Sequence, residues 1–407
     1  MSVGVQAFRG KRLKEARLAR GLYKAQLGDM VGVSGTAITR YEQGIDNPQA
    51  AKLSALCDAL KFPIEFFGMP EWQESLDLVF WRSQAAETKH AQLMTEQRMI
   101  WLCELFALLE REVDFPVQAV PDLGLPDDFR LITPDMIEQA ADDLREHWRL
   151  RQQPIPDVIL ALENAGIPVV TLDIPSDKQD GFCFRSKILD RVFVGINTYE
   201  VSSARARYDA GHELGHAVLH RYVTAAQNRD TRLVKTIESQ AHRFASAFLF
   251  PRSSFRREVE TVSLDFLCDL KRRWGMSVAA MIYRAHTLGM IDDSERTDLY
   301  RKMTRRRWRG AGQEPYDDSA SMPFERPRML RRGVEAVVQE GIFGLAQFKS
   351  ALALPDREIE QLVGLQPEFF NAGHVVSLAQ IKRTSSLSAT DLESGKVIDF
   401  VKRSQNR

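Results

Sequence analysis

Residues 210–220 read AGHELGHAVLH, and the interpretation of the whole chain starts from this stretch. His212 and His216 are four residues apart, so on a helix their side chains share one face, with Cβ atoms about 5–6 Å apart. That gap suits two imidazole nitrogens bound to one zinc ion at about 2.0–2.1 Å. Glu213 is rotated by one residue, so it flanks the pair and can serve as general base on an attacking water.

The pattern is the HExxH arrangement of zinc hydrolases, which also need a third protein ligand and one open position. His220 lies about 6 Å beyond His216 along a helix axis, and three such residues of a straight helix cannot converge on one ion. We therefore expect His220 to pack against a ligand or to hydrogen-bond one. Glu238, which begins the apolar helix ESQAHRFASAFLFP, is the better third ligand. His242 is expected to hydrogen-bond a ligand, with direct ligation as the alternative.

The identity of the metal is open at this stage. Two histidines and a carboxylate suit Zn2+, and Mn2+ or Fe2+ would tolerate the same set. A buried helix that is merely rich in histidine is the competing interpretation. Gly215, in the middle of this helix, costs about 1 kcal/mol relative to Ala, and close approach of a neighbouring backbone would explain that cost.

The residues around this helix predict an α+β domain. Thr133 followed by Pro134 is a favourable helix start, and PIPDVILALENAGI adds a second helix. PVVTLDI, DGFCFRS and RVFVGIN are rich in aromatic and β-branched residues, which indicates strands. The order helix, helix, small sheet, helix is typical of an α+β domain. RVFVGIN is a candidate for aligning a substrate by strand addition.

YDAGHELGHAVLH and ESQAHRFASAFLFP together resemble the ImmA/IrrE family of metallopeptidases, with GFCF and RVFVGIN as the sheet beside the active site. The resemblance implies that His212, His216 and Glu238 bind the metal and that Glu213 is the catalytic base. Family members commonly have Asn or Asp where this chain has His242. The implied substrate is a protein, typically a helix-turn-helix repressor.

Residues 1–70 are expected to form an all-α domain. KAQLGDMV is followed by Gly32, the N-capping Ser34 and a second short helix, which is a helix-turn-helix signature. Residues 8–68 resemble the XRE-type domains of phage repressors, in which the second helix of the motif enters the major groove. The chain as a whole is similar to fused XRE–ImmA/IrrE proteins.

The XRE resemblance implies a double-stranded DNA operator as partner, bound by a homodimer because such domains commonly recognise palindromic sites. The positions that the resemblance places at bases or phosphates are Gly35, Thr36, Thr39 and Arg40 for bases, and Lys24 and Ser34 for phosphates. Gly35 has no side chain to read a base, and Arg40 could instead pair with a neighbouring carboxylate. A protein-interaction module is the alternative for the whole domain.

Composition sets the remaining limits. The 407 residues have a net charge of zero, so the chain as a whole has no electrostatic attraction to nucleic acid or to a membrane surface. Basic residues are nevertheless concentrated locally, with seven in residues 1–30 and six in 301–310, as expected for polyanion contacts or solvated helix faces. Four separate cysteines indicate a reducing compartment. With no stretch of about 18 apolar residues to span a membrane, we expect a cytoplasmic protein.

The predicted fold is multidomain and mainly α, with an α+β zincin-like domain of the gluzincin type. The predicted domains are a helix-turn-helix domain at 1–70, a helical connector at 71–132, the metallopeptidase domain with a helical C-terminal subdomain at 133–310, and a helical tail module at 311–407.

Two functions remain open. The leading hypothesis is a DNA-binding transcriptional regulator with a zinc-dependent endopeptidase, gated or very slow, that cleaves a repressor, a partner protein or itself. Autocleavage near residues 116–126 would then separate DNA binding from catalysis. The resemblance implies a stress, mobile-element or toxin–antitoxin context. The alternative is a non-proteolytic regulator or antitoxin with a structural or vestigial metal site.

Overall fold

The computed structural model describes residues 4–73, 76, 78–81, 86–172, 181–310, 312–339, 344–371 and 401–402. Within these residues, sixteen α-helices accompany one four-stranded sheet and one short two-stranded pairing. The prediction of a mainly helical, multidomain fold with an α+β part is confirmed. The predicted tail module beyond residue 371 lies outside the described residues, apart from 401–402.

The N-terminal helices form the expected helix-turn-helix. They are α1 (Gly10–Ala19), α2 (Lys24–Val31), α3 (Gly35–Glu42) and α4 (Ala50–Leu60), followed by a 3-10 turn at Ile64–Gly68. Gly32 ends α2 with φ +67°, a backbone conformation that glycine adopts without strain. Ser34 caps α3, because its Oγ accepts a hydrogen bond of 3.1 Å from the backbone N–H of Ala37.

The segment predicted as a helical connector contains short strands as well as a long helix. Its elements are β1 (Val79–Trp81), α5 (Ala86–Glu110) and β2 (Val113–Asp114), and α6 (Pro134–His147) and α7 (Val158–Asn164) follow. Strand β1 pairs with residues about a hundred positions later in the chain, and local patterns cannot reveal such a long-range pairing.

The central sheet contains the three strands that the sequence predicts, together with β1. They are β3 (Val169–Leu172), β4 (Gly181–Ser186) and β5 (Arg191–Asn197), and the sheet order is β1-β4-β5-β3. Strands β1, β4 and β5 are antiparallel neighbours, with Phe80 opposite Cys183 and Cys183 opposite Val194. Strand β3 runs parallel to β5.

Helices form the rest of the molecule. They are α8 (Ser203–Leu219), α9 (Thr231–Leu249), α10 (Arg252–Glu258), α11 (Leu264–Trp274), α12 (Val278–Thr287), α13 (Asp293–Arg305), α14 (Met329–Gln339), α15 (Leu345–Leu352) and α16 (Asp356–Val363). A short strand, β6 (Val401–Lys402), pairs antiparallel with β2. Ser202 caps the helix that carries the histidines, α8, because its Oγ accepts a hydrogen bond from the backbone N–H of Arg205.

Two hydrophobic cores lie on opposite faces of the sheet, because side chains alternate along each strand. Cys183 and Val194 belong to the core that contains residues of α6 to α13. Phe184 and Phe193 belong to the other core, which contains residues of α1 to α5 and α14 to α16. The helix-turn-helix therefore shares a core with one face of the sheet, and the histidine helix packs on the opposite face.

Several basic residues of the first thirty are internal rather than part of a surface. Arg12 is fully buried and pairs with Glu104 of α5 at 2.7 Å. Arg17 pairs with Glu42, and Arg20 pairs with Glu358 of α16. A basic cluster in a sequence suggests surface charge, but Arg17 joins two helices within the helix-turn-helix, and Arg12 and Arg20 connect it to α5 and α16.

The four cysteines are free thiols. No disulfide joins any of the four, and Cys103, Cys183 and Cys268 are buried. Among the described residues, no helix combines the length and the apolarity needed to cross a bilayer.

Candidate metal centre

The centre is built where α8 and α9 approach each other closely. A Cβ at Gly215 would lie 3.2 Å from the Cα of Ala241, and one at Gly211 would lie 3.5 Å from the Cα of Ala245. Two glycines on α8 therefore face two alanines on α9. The close backbone of α9 thus explains why α8 has a glycine at residue 215 in spite of its low helix propensity.

The three predicted ligands come together at this contact. The Nε2 atoms of His212 and His216 are 3.2 Å apart. Glu238 lies with its Oε2 3.3 Å from Nε2 of His212 and its Oε1 3.5 Å from Nε2 of His216. A tetrahedral zinc ion with bonds of about 2.0–2.1 Å keeps its ligand atoms about 3.3–3.4 Å apart. The donors present thus fit a zinc ion in both chemistry and spacing.

Burial and charge also favour a cation at this point. His212 and His216 are 3% and 2% exposed. Burial alone would raise the pKa of Glu238, but the adjacent imidazoles of His212 and His216 outweigh it and hold that pKa well below its ordinary value. A carboxylate beside two buried imidazoles is the donor set that zinc prefers.

Glu213 lies on the side of α8 that faces the sheet. Its side chain is buried, and a Cβ at Gly181, the first residue of β4, would meet its Oε1 at 2.9 Å. Glycine at the start of β4 therefore leaves the room that this carboxylate occupies. The position agrees with the expected location of a base beside the ligands rather than among them.

His220 ends α8 and does not join the ligand atoms. Its Nδ1 is 3.0 Å from Nδ1 of His216, and its Nε2 is 3.1 Å from Oε1 of Gln240. Burial is the largest cause that lowers the pKa of His220 well below its ordinary value. His220 thus touches the nitrogen of His216 that faces away from His212 and Glu238. Gln240, its partner on α9, belongs to no motif and was missed.

His242 lies closer to the centre than a purely supporting role requires. One ligand atom each of His212, Glu238 and His242 lie within 4.8 Å of one another, so two donor triads share His212 and Glu238. The triad with His216 has the shorter spacings and is the better fit to a tetrahedron. Tyr208, another residue that the sequence analysis missed, places its Oη 3.3 Å from Nδ1 of His242.

Strand β1 covers one side of the centre. The ring of Phe80 stacks on that of His216, with centroids 4.4 Å apart and planes inclined by 10°. The side chain of Asn228 donates to the carbonyl of Val79 at 3.0 Å. The idea that β5 aligns a substrate by strand addition is wrong, because β4 and β3 pair with both of its edges.

Five of the residues predicted to meet DNA lie on α3 or cap it, and Lys24 is the first residue of α2. Helix α3 packs against α1 and α2. Thr36 and Arg40 are exposed, whereas Thr39 is half-buried and its Oγ1 donates to the carbonyl of Gly35 at 3.1 Å. Gly35 itself packs against α2, since a Cβ there would lie 3.2 Å from the Cα of Ala25. Thr36 and Arg40 are therefore the side chains best exposed for base contacts.

The two basic residues that are predicted to contact DNA, Arg40 and Lys24, each have an acidic neighbour. The carboxylate of Asp46 accepts two hydrogen bonds from Arg40. Nε donates to Oδ2, and Nη2 donates to Oδ1 at 3.0 Å. Lys24 lies 3.7 Å from Glu42. The alternative that Arg40 pairs with a neighbouring carboxylate is thus realised, although the pair is exposed and can open to a phosphate or base.

The basic run at 301–310 is mostly exposed at the end of α13. Arg306 pairs with Asp265, and Arg309 lies over the ring of Tyr300. Both contacts are within the helical subdomain, which favours the solvated-face interpretation of this run.

Comparison with known proteins agrees with both halves of this description. Residues 13–67 match the family model described as helix-turn-helix, and residues 162–286 match the peptidase family model described as IrrE N-terminal-like domain. An uncharacterized HTH-type transcriptional regulator of Rickettsia conorii is 30% identical over 63 residues, which are 16% of this chain and 50% of that protein. The chain thus spans about half the length of that curated relative. The resemblance to the two families is confirmed over these segments.

Proposed function

We propose that this chain, which carries a helix-turn-helix domain and an IrrE N-terminal-like domain, is a cytoplasmic DNA-binding regulator that hydrolyses a protein with a bound zinc ion. The observation that carries the proposal is the set of three donor atoms on His212, His216 and Glu238, spaced 3.2–3.5 Å apart. The substrate class is a repressor, a partner protein or the chain itself, in a stress, mobile-element or toxin–antitoxin context.

The chemistry follows from the residues around the centre. When bound, the zinc ion supplies polarisation of the scissile carbonyl and acidification of the attacking water. Glu213 accepts the proton of that water and passes it to the leaving amine. Burial of Glu213 keeps bulk water from competing for this proton.

Strand β1 supports the gated or slow turnover that the sequence analysis expects. A peptide added as a strand beside β4 would have to replace Val79–Trp81, and Phe80 would have to leave the ring of His216. Autocleavage near residues 116–126 remains a prediction, and residues 79–81 are a second candidate segment, because Phe80 touches a ligand histidine.

His242 favours a second candidate function, a regulator without proteolysis. Structural zinc sites are closed by four protein ligands, whereas catalytic sites keep one position open. The imidazole of His242 lies near enough to His212 and Glu238 to become a fourth ligand. In that case the metal would stabilise the fold, and the protein would act through DNA and partner binding.

The experiment that decides between the two compares zinc-loaded wild type with Glu213→Gln. Each is incubated with an unfolded proteome extract, and new protein termini, including those of the chain itself, are identified by mass spectrometry. We expect termini from wild type that decrease by about 10²- to 10⁴-fold in the variant, at equal zinc content. Equal cleavage by both proteins would contradict the role of Glu213. Zinc without any cleavage by wild type would favour the non-proteolytic regulator.

A further inference from the structure

A line of hydrogen bonds leads outward from the metal centre to the backbone in front of α6. It begins with Nδ1 of His216, passes through both ring nitrogens of His220 and reaches Oε1 of Gln240. Nε2 of Gln240 then donates to the carbonyls of Phe129 and Ile132, at 2.8 and 3.2 Å. His216, His220 and Gln240 are all buried, so these contacts are not shared with bulk water.

The side-chain amide of Gln240, at the outer end of this line, determines which ring nitrogens of His220 and His216 carry protons. Gln240 directs its NH2 group at two carbonyls, so its oxygen faces His220 and can only accept. His220 must therefore carry its proton on Nε2. A neutral imidazole has one N–H, which makes Nδ1 of His220 an acceptor. The donor to that atom is Nδ1 of His216, so Nε2 of His216 keeps a lone pair.

Nε2 of His216, which carries this lone pair, is the atom that would bind the metal. Nε2 of His216 is 3.2 Å from Nε2 of His212 and 3.5 Å from Oε1 of Glu238. If His220 held its proton on Nδ1 instead, it would donate to His216, and the proton of a neutral His216 would move to Nε2. The lone pair would then point away from His212 and Glu238.

We infer that Gln240 is a positioning residue of the metal centre, which acts through His220 to hold His216 in its metal-binding tautomer. The inference rests on the proposed function only in taking His216 as a metal ligand. Helix α9 then contributes twice, with Glu238 as a ligand and Gln240 as the residue that orients one. The outer partner of a ligand histidine is usually a carboxylate, a backbone carbonyl or water. Here an amide oriented by two backbone carbonyls, acting through a second imidazole, has that role.

The test compares the full-length wild type with the full-length variants Gln240→Met and Gln152→Leu. Methionine has a similar volume to glutamine, but its sulfur is only a weak acceptor for the N–H of His220, and it has no N–H for the carbonyls of Phe129 and Ile132. Gln152 is the control, because its side chain likewise donates one hydrogen bond, to Asp142, and accepts another, from Ser253, in the same domain. Zinc affinity is measured at one pH by competition with a chromophoric chelator. Nitrogen-15 NMR of labelled histidines in the zinc-free proteins reports the tautomers, with His216→Ala to assign the signal.

We expect Gln240→Met to weaken zinc binding by about 10- to 100-fold, and Gln152→Leu to bind like wild type. In zinc-free wild type, the proton of His216 should be on Nδ1 and that of His220 on Nε2. Unchanged zinc affinity in folded Gln240→Met would overturn the inference. A proton on Nε2 of His216 in wild type would overturn it as well, without need of any variant. Failure of wild type to bind zinc would instead count against the proposed function, since the tautomers are measured without metal.

Discussion

Gly215 of α8 lies so close to Ala241 of α9 that a Cβ at residue 215 would be 3.2 Å from both the Cα and the carbonyl oxygen of Ala241. This contact sets the separation of the two helices that carry the donor atoms. Because His212 and His216 are on one helix and Glu238 is on the other, the helix separation decides whether the three can share one ion.

Gly215→Ala should therefore weaken zinc binding. The added methyl would be 3.3 Å from Cβ of Phe244 as well as near the backbone of Ala241, so α9 must move away. We expect a loss of about tenfold in zinc affinity, equivalent to about 1.4 kcal/mol, measured by chelator competition.

The matched control for this prediction is Gly211→Ala, one turn earlier on α8. A Cβ there would make an ordinary contact at 3.5 Å with Ala245. Both variants gain about 1 kcal/mol of helix propensity, so only the packing differs between them. Equal zinc affinity of the two variants would show that the close contact at Gly215 does not control the centre.

Glu163 of α7 should make the fold less stable as the pH rises. Its carboxylate accepts hydrogen bonds from the backbone N–H groups of Arg328 and Met329, at the start of α14. Burial nevertheless raises its pKa from 4.5 to about 7. Between these values the folded chain holds a proton that the unfolded chain has released, so stability decreases as the pH increases.

Glu163→Gln removes this titration and keeps an oxygen that can accept both N–H groups. The urea midpoint of the variant relative to wild type should therefore rise between pH 5 and pH 8. Glu260→Gln, at an exposed position, serves as the control and should give no such trend. A difference between Glu163→Gln and wild type that stays constant with pH would contradict the prediction.

Arg40→Ala should weaken binding to duplex DNA by about 1–3 kcal/mol if α3 enters the major groove. Arg40 is exposed on α3, and its pair with Asp46 can exchange for a base or phosphate. The measurement is fluorescence anisotropy, at one salt concentration, with a duplex that wild type selects from a random-sequence pool. The same titration tests for the expected homodimer, which remains a prediction.

Arg130→Ala is the control for the DNA experiment. Arg130 forms a similar exposed pair with Asp128, outside the helix-turn-helix. Its loss removes one positive charge without touching α3, so DNA binding should change little. Equal affinities of the two variants would show that Arg40 is a structural partner of Asp46 and not a DNA contact.

The donor atoms could be predicted because the information is local. HExxH fixes the relative directions of His212, Glu213 and His216 once the segment is a helix. Glu238 was chosen because a second helix that offers a Glu to the HExxH helix is the gluzincin arrangement. The geometric exclusion of His220 from the ligands also agrees with its contact to Nδ1 of His216.

Other parts of the site depend on long-range contacts that no local pattern reports. Gln240 is a single amide in an apolar helix, and its meaning depends on carbonyls more than a hundred residues earlier. Phe80 lies in a segment that reads as helix, yet it pairs with β4 and stacks on His216. In the sequence Arg12 suggests a surface charge, but in the structure it is buried and paired with Glu104 of α5.

The most direct test of the central claim is the metal content of wild type and His216→Ala, both purified without added metal and measured by elemental analysis. A zinc centre on His212, His216 and Glu238 predicts about one zinc per chain in wild type and loss of that zinc in the variant. No metal in wild type, even after zinc is offered, would contradict the account and leave a DNA-binding regulator with a vestigial peptidase fold.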